Sequence, residues 1–478
     1  MALTGALLSA RSGILGAQAG IEVVSRNIAN ASTEGYTRKI HNQSNLVLSG
    51  VGAGIRIDEI TREVTKGLQR EVREQTAIVE ELEVIDDFLG RLEQEFGSPD
   101  DQSSISAKLT DLKLSIQAFA TTPEDGVNQV SVISAAQELA RAFNDLNNQI
   151  QSLREDADAR INFQVNEVNT LMTNIDTLNT KIVKRRGGDL SDADLQDQRD
   201  QSLLDVSQKL SVTSFERSDG KISVFAPGGN LMLDDTRLPL SFTSTASITA
   251  ASVTGAVQVS TGAGTTSIST AIAAGDGSLA GLLRVRDTLL PNVQLELDDL
   301  AFEVARNFGQ ITVAGTTENL NLFAAPGRVI PPGGFTTGYS GEMEVRAALS
   351  TQPALLADPQ VAGGYTPLGP GDPTLPLAII SVFEAQQQLS RTPAISNTME
   401  GFMSQLIGSV ANQKADVESQ LTFQTNFRDG LKDRFNDESG VNTDQELSEL
   451  IRLEAAFSAS ARVLSAVQRA VEELSRVI

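Results

Sequence analysis

Cysteine is absent from this 478-residue chain and histidine occurs once. Without cysteine there is no disulfide framework and no thiolate zinc site, and a lone His41 rules out a multi-histidine metal site. No metal or cofactor is therefore expected, and stability must come from packing. Cations are scarce as well: 38 Lys and Arg face 61 Asp and Glu, a formal net charge of -23. That balance opposes the counterion release that draws proteins onto phosphate backbones, so no nucleic-acid partner is expected. Every apolar run falls short of the roughly 20 residues that cross a bilayer, which predicts a soluble protein without membrane insertion. Ala17-Gln18-Ala19 looks like a signal-cleavage site, yet Met1 to Leu8 has no basic region and Arg11 breaks the apolar stretch, so no cleaved signal is expected.

Signatures of catalysis are missing too. Asp189, Asp192, Asp194, Asp197 and Asp200 crowd together like a calcium loop. Counted from Asp189, however, the third and fifth positions are Ser191 and Ala193, and the glycine required at the sixth is absent. The segment reads instead as an acidic helix start capped by Ser191 or Asp192. Gly50-Val51-Gly52-Ala53-Gly54 has Ile55 where a dinucleotide fingerprint needs its last glycine, and reads as a flexible turn. No phosphate loop or nucleophile elbow occurs, and His41, among polar neighbours, reads as solvated. The one basic run, Lys184-Arg185-Arg186, suits the end of a helix, where cations complement the dipole. An enzyme is not expected.

What the chain does have is helical periodicity. Leu7, Ile14, Ile21 and Ile28 recur every seven residues, with Leu3, Ala10, Ala17 and Val24 on the adjoining row. Leu450, Phe457, Leu464, Val471 and Ile478 repeat the pattern at the far end, beside Leu453, Val467 and Leu474. A single amphipathic helix is marginal in water, so these stripes should pair with each other or with neighbouring subunits. A second helical zone runs from about Ile60 to Leu210, with breaks at Gly97-Ser98-Pro99-Asp100 and Thr121-Thr122-Pro123-Glu124. From 212 to 280 loose alternation and small polar residues predict a β-rich unit with exposed sheet, and 312–376, rich in Pro and Gly, a further insert of strands and loops. Helical pattern returns at 279–308 and from Leu377 onward, with a break at Gly440.

The expected fold is mainly α with β inserts, an α+β multidomain chain. Its parts are a terminal coiled-coil unit (1–58 with 430–478), a long-helix bundle (59–211 with 279–311 and 377–429) and β-rich inserts (212–278 and 312–376).

Three strings carry a resemblance. Asn27-Ile28-Ala29-Asn30-Ala31-Ser32-Thr33-Glu34-Gly35-Tyr36-Thr37-Arg38 resembles the N-terminal signature of flagellar rod, hook and hook-associated proteins. In it Asn30 can stop a helix, Gly35 permits a positive φ, and Tyr36 offers a large anchor with a polar tip. Ser439 to Leu447, continuing through Ala459 to Leu464, is similar to the C-terminal signature of the same axial family. Leu195-Gln196-Asp197-Gln198-Arg199-Asp200, with Leu203-Leu204 after it, resembles the centre of the hook-associated protein 1 family. Residues 240–375 are poorly matched, Phe457 stands where the family commonly has tyrosine, and the inserts look too short for an extra outer domain.

The resemblance implies a structural subunit that polymerises at the hook-filament junction, is needed for filament assembly, and is exported by the flagellar type III apparatus. Implied partners are copies of itself, the hook protein, the second hook-associated protein, and a cytoplasmic export chaperone on Leu464, Val471 and Ile478. Implied assembly residues are Leu7, Ile14, Ile21, Ile28, Asn30, Gly35, Tyr36, Leu450, Phe457, Leu464, Val471 and Ile478. Competing readings are another flagellar axial protein or a secreted coiled-coil adhesin. An inserted wall hydrolase has no catalytic constellation in 212–376 to support it.

Overall fold

The computed structural model describes residues 2–48, 51–97, 104–186, 191–261, 264–313, 316–324, 336–358, 367–389 and 396–477. In chain order its principal helices are α1 (Ala2–Ala29), α2 (Lys66–Phe96), α3 (Ile105–Thr121), α4 (Gly126–Arg186), α5 (Ala193–Lys209), α6 (Ser278–Arg284), α7 (Leu290–Asn307), α8 (Thr374–Glu384), α9 (Met399–Ser439) and α10 (Thr443–Val477). Its principal strands are β1 (Lys39–Leu48), β2 (Val51–Arg62), β3 (Thr213–Glu216), β4 (Ile222–Ala226), β5 (Asn230–Leu233), β6 (Leu240–Ser241), β7 (Gln258–Thr261) and β8 (Gly264–Ser267). The chain is mainly helical with small β inserts, and its two terminal helices pack together.

Helices α1 and α10 run antiparallel in a heptad register. Gly13 faces Ser460, Gly20 faces Leu453, and Asn27 bonds Glu446, so each helix advances seven residues per contact. The glycines set the approach: a Cβ on Gly20 would lie 2.9 Å from Leu453 Cδ2, and one on Gly13 2.8 Å from Ser460 Oγ. Of the two predicted rows on each helix, the adjoining one carries this seam, with Ala10, Ala17, Val24, Leu453 and Val467 buried. The row of larger side chains lies along its flank.

The sequence did not suggest a hairpin between the terminal unit and the bundle, yet β1 and β2 pair antiparallel from Lys39↔Arg62 to Leu48↔Val51. The helical zone accordingly begins at Lys66, later than expected. Val51 to Gly54 belong to strand β2 and are not a turn, while Gly50 lies outside the described residues. Small residues again explain the packing: a Cβ on Gly16 would meet Ile55 Cδ1 at 2.2 Å, so a larger residue there would have to displace the Ile55 side chain that seats the hairpin on α1.

The bundle is built on the 61-residue α4, with α2, α3 and α9 alongside. One continuous hydrophobic cluster joins Phe88, Leu109, Ile150 and Ile175 to Val224, Leu233 and Val259, so β3–β5 and β6–β8 share the helical core. The outer strands β3 and β8 are exposed, as expected, while β4 is buried against the helices. Two asparagines on α4 act as strand surrogates: Asn179 donates to Ile222 O (2.9 Å) and accepts from Ile222 N (3.0 Å), and Asn169 does the same with Leu240 (2.8 and 2.9 Å). Buried backbone groups need partners, and these amides supply them at the sheet edges. The described parts of 312–376 include short helices, Tyr339–Glu342 and Ala347–Thr351, as well as strand pairs. Helix α9 runs unbroken past residue 430 to Ser439, so the change from bundle to terminal unit falls at Gly440.

Candidate functional site: the joint between terminal helices and bundle

The three sequence signatures, far apart along the chain, meet at one place. Helix α1 ends at Asn30, whose Nδ2 donates to Arg26 O (2.9 Å) and whose carbonyl accepts from Thr33 N (2.9 Å). Gly35 then turns the chain at φ 76°, a left-handed conformation, and a Cβ there would lie 2.7 Å from Gln201 Oε1 of α5. Tyr36 folds back, its hydroxyl donating to Asn27 Oδ1 (3.0 Å) and its ring lying 4.2 Å beneath the Lys39 ammonium.

Asn27 is fully buried and uses its amide completely. Oδ1 accepts from Tyr36 Oη and Lys39 N (3.1 Å), while Nδ2 donates to Lys39 O (2.9 Å) and Glu446 Oε2 (3.0 Å). Glu446 is held from the other side by Arg38 Nε (2.7 Å), and Arg38 also pairs with Glu63 (2.9 Å). Asn442 caps α10, its Oδ1 accepting from the Asp444 and Gln445 amides, and that cap aims Glu446 inward. Ser439, at the end of α9, accepts from Arg38 N through its carbonyl (2.9 Å).

Asp197 of α5 gathers the other side. It accepts from Thr37 N (3.1 Å) and Thr37 Oγ1 (2.7 Å), and pairs with Lys39 and with Arg62 (2.8 Å). Arg62 reaches on to Asp200 (2.8 Å), which also accepts from Gln69 Nε2 (3.0 Å). Arg199 donates to Gly220 O (2.7 Å) and so fastens the β3–β4 turn to the same helix. Burial pushes the Lys39 ammonium below its ordinary pKa even beside Asp197, and burial together with Asp194 and Asp197 raises the Tyr36 phenol. Asp197, Asp200 and Glu446 are each committed to cations or amide donors, so what the arrangement can do is mechanical: it fixes the terminal helix pair on the bundle.

His41 is half-buried between α1 and α10 with both ring nitrogens shielded from water, which corrects its reading as solvated. Burial lowers its pKa, with the Gly16 backbone and Glu449 acting in the opposite direction. Leu7, Ile14, Ile21, Ile28, Leu450, Phe457 and Leu464 are half-buried on the flanks of the helix pair, Val471 is 48% exposed, and Ile478 lies outside the described residues. Leu8, Leu15, Ile451 and Val463 add exposed apolar surface to the same unit. Sequence reasoning missed Lys39, Arg62 and the glycines at 13, 16 and 20. The signal was available, since three glycines fall in line with Ala10 and Ala17, and two cations follow the signature in a cation-poor chain.

Comparison with known proteins agrees with this architecture. The family model described as "Flagellar hook-associated protein FlgK helical domain" matches residues 89–323. "Flagella basal body rod protein" matches 7–37, and "Flagellar basal body rod FlgEFG protein C-terminal" matches 434–477. Flagellar hook-associated protein 1 of Escherichia coli (strain K12) is 22% identical over 98% of this chain and 99% of that protein. Its Bacillus subtilis counterpart is 21% identical over 96% and 95%, and the Salmonella typhimurium protein 28% identical over 63% and 55%. The solved structure of the flagellar hook junction protein FlgK from Burkholderia pseudomallei has the same fold, with a TM-score of 0.62 at 13% identity, covering 76% of this chain and 99% of that one.

Terminal helices that pair across the whole sequence, on a helical bundle with β inserts, define a flagellar axial protein, a structural component of the flagellum. Within that class the chain belongs to the hook-associated protein 1 family.

Proposed function

We propose that the chain is a structural subunit of the hook-filament junction, polymerising between hook and filament and needed for filament assembly. The joint carries this reading. It binds both chain ends to one rigid body while the outer flanks of α1 and α10 keep apolar side chains at the surface. Subunits that meet head to tail through such faces build tubes when the contacts do not close, and the relatives' names support the place of that tube.

On this reading Leu7, Ile14, Ile21, Ile28, Leu450, Phe457, Leu464 and Val471 contact neighbouring copies, the hook protein and the second hook-associated protein. Asn30, Gly35 and Tyr36 shape the joint. The export chaperone covers Leu464, Val471 and Ile478 before assembly, and the chain leaves through the flagellar type III apparatus without signal cleavage. It catalyses nothing, holds no cofactor and binds no nucleic acid. Electron microscopy of cells lacking the gene tests the proposal: hooks without filaments, with filament subunits lost to the medium, are expected. Normal filaments would overturn it.

A further inference from the structure

Beside the joint lies a cleft of about 440 Å³, walled by the 31–37 loop, α2, α5 and the end of α9 with the turn after it. Val72, Leu204, Phe435 and Val441 give it an apolar floor, and Arg73 and Lys432 bring two cations to it. The joint's other cations are neutralised, Arg38 by Glu446 and Glu63, and Lys39 and Arg62 by Asp197. Arg73 and Lys432 have no direct ion pair among the described residues; Arg73 feels Asp200, already engaged by Arg62, and Glu74, and Lys432 feels the half-buried Glu80. Glu34 on the rim is exposed to water. Burial pushes the Arg73 guanidinium below its ordinary pKa, with Asp200 and Glu74 acting in the opposite direction.

The complement of this cleft is on the chain itself. Asp444, Leu447, Ile451 and Glu454 fall at helical spacing on one stripe of α10, and all four are exposed, Ile451 by 68%. Neither carboxylate has an ion pair among the described residues. An apolar ridge flanked by two acids without an ion pair thus matches an apolar floor flanked by two cations that no carboxylate contacts directly among the described residues.

We propose that the cleft of one subunit receives the Leu447–Ile451 ridge of a second copy, with Arg73 and Lys432 pairing with that copy's Asp444 and Glu454. This rests on the reading of the chain as a polymerising subunit, and it supplies a head-to-tail contact through the joint, since the two surfaces are different.

The absence of cysteine provides a clean probe. In cells lacking the native gene, full-length Val441→Cys and full-length Ile451→Cys are co-expressed, and isolated hooks with their filaments are oxidised. A disulfide-linked pair of two chains is expected from the mixture, and from neither variant alone. Lys432→Glu should lower the fraction of hooks carrying filaments about tenfold with an unchanged melting curve, and Lys432→Glu with Glu454→Lys should restore it. Normal filaments with no such disulfide overturn the proposal, as does a disulfide to a different flagellar protein or no rescue by the charge swap. Each of these leaves the junction reading standing, whereas filaments that form without the gene would sink that reading instead.

Discussion

Asn27 Nδ2 donates to Glu446 Oε2 at 3.0 Å across 419 positions of sequence, and both side chains are buried. Joining residues this far apart costs loop-closure entropy, which the contacts of the joint have to offset. The stability of the terminal helix pair is therefore coupled to the joint. Asn27→Ala removes the partner of Tyr36 Oη, the Lys39 backbone and Glu446 together. Each orphaned buried group costs roughly 1–3 kcal/mol, and a local loss of about 3 kcal/mol is expected. Hydrogen exchange should show faster opening of α1 and the first turns of α10 with α4 unchanged. Equal protection of α1 in the variant and the parent would refute the coupling.

The glycines of α1 separate two effects that are usually mixed. Gly5 has open space around it, so Gly5→Ala should stabilise the helix by about 0.5–1 kcal/mol through the lost flexibility of the unfolded chain. Gly20→Val puts branched carbons where Leu453 already sits 2.9 Å from the first of them. Forcing the helices apart there should cost about 1–3 kcal/mol. Urea titration followed by a fluorophore on α10 reads both, and a Gly20→Val protein as stable as its parent would mean that the seam is looser than described.

The joint was legible in the sequence as strings and illegible as a place. The Asn27–Arg38 string stood out because its residue types are ones that local turn chemistry uses: a helix stop, a left-handed glycine, an aromatic anchor. Nothing in it says that Asp197 and Glu446 complete the arrangement, because pairing across hundreds of residues leaves no periodic trace. The β1–β2 hairpin escaped notice for a related reason: it lies on α1, and its Gly54 looked like a turn residue although it serves close approach to Ser9 and Ser12. The exposed strands β3 and β8 were legible, but the buried side of the β inserts was not, because the partners of Ile222 and Leu240, Asn179 and Asn169, are polar residues inside a long helix, where sequence alone suggests solvent. Helices were found most easily, since their seams repeat.

Glu81 gives the bundle a pH dependence. Its side chain is buried against Arg284, and burial pushes its pKa up to about 7 from 4.5, with Asp276 adding to the rise and Arg284 opposing it. An acid whose folded pKa is raised stabilises the fold fully only below its unfolded value, and that contribution fades as pH climbs from about 4.5 through about 7. Glu81→Gln cannot ionise, so its stability relative to the parent should improve across this window, on the order of 2–3 kcal/mol by pH 8. Chemical denaturation at pH 4.5, 6 and 8 measures the difference. A constant gap between the two proteins would show that Arg284 holds Glu81 ionised throughout.

Asp158 and Arg286 form an ion pair inside the bundle, 2.6 Å apart and both essentially without exposure. Asp158 also accepts from Thr245 N, and Arg286 donates to Gly255 O, so the pair pins the 245–255 loop onto α4 beside the π turn at Val285–Leu289. Removing Asp158 leaves the buried Arg286 with only the part-exposed Asp287 as counter-charge and orphans Thr245 N, so Asp158→Ala should destabilise by about 3 kcal/mol. Removing both with apolar residues of similar size is a different matter, because the desolvation of two ions disappears together with their attraction. Asp158→Leu with Arg286→Met should therefore cost less than Asp158→Ala alone, with the loop amides accounting for the remainder. A double-mutant cycle in urea decides between the outcomes. Additive single costs would mean that the two charges act through their backbone contacts and owe little to each other.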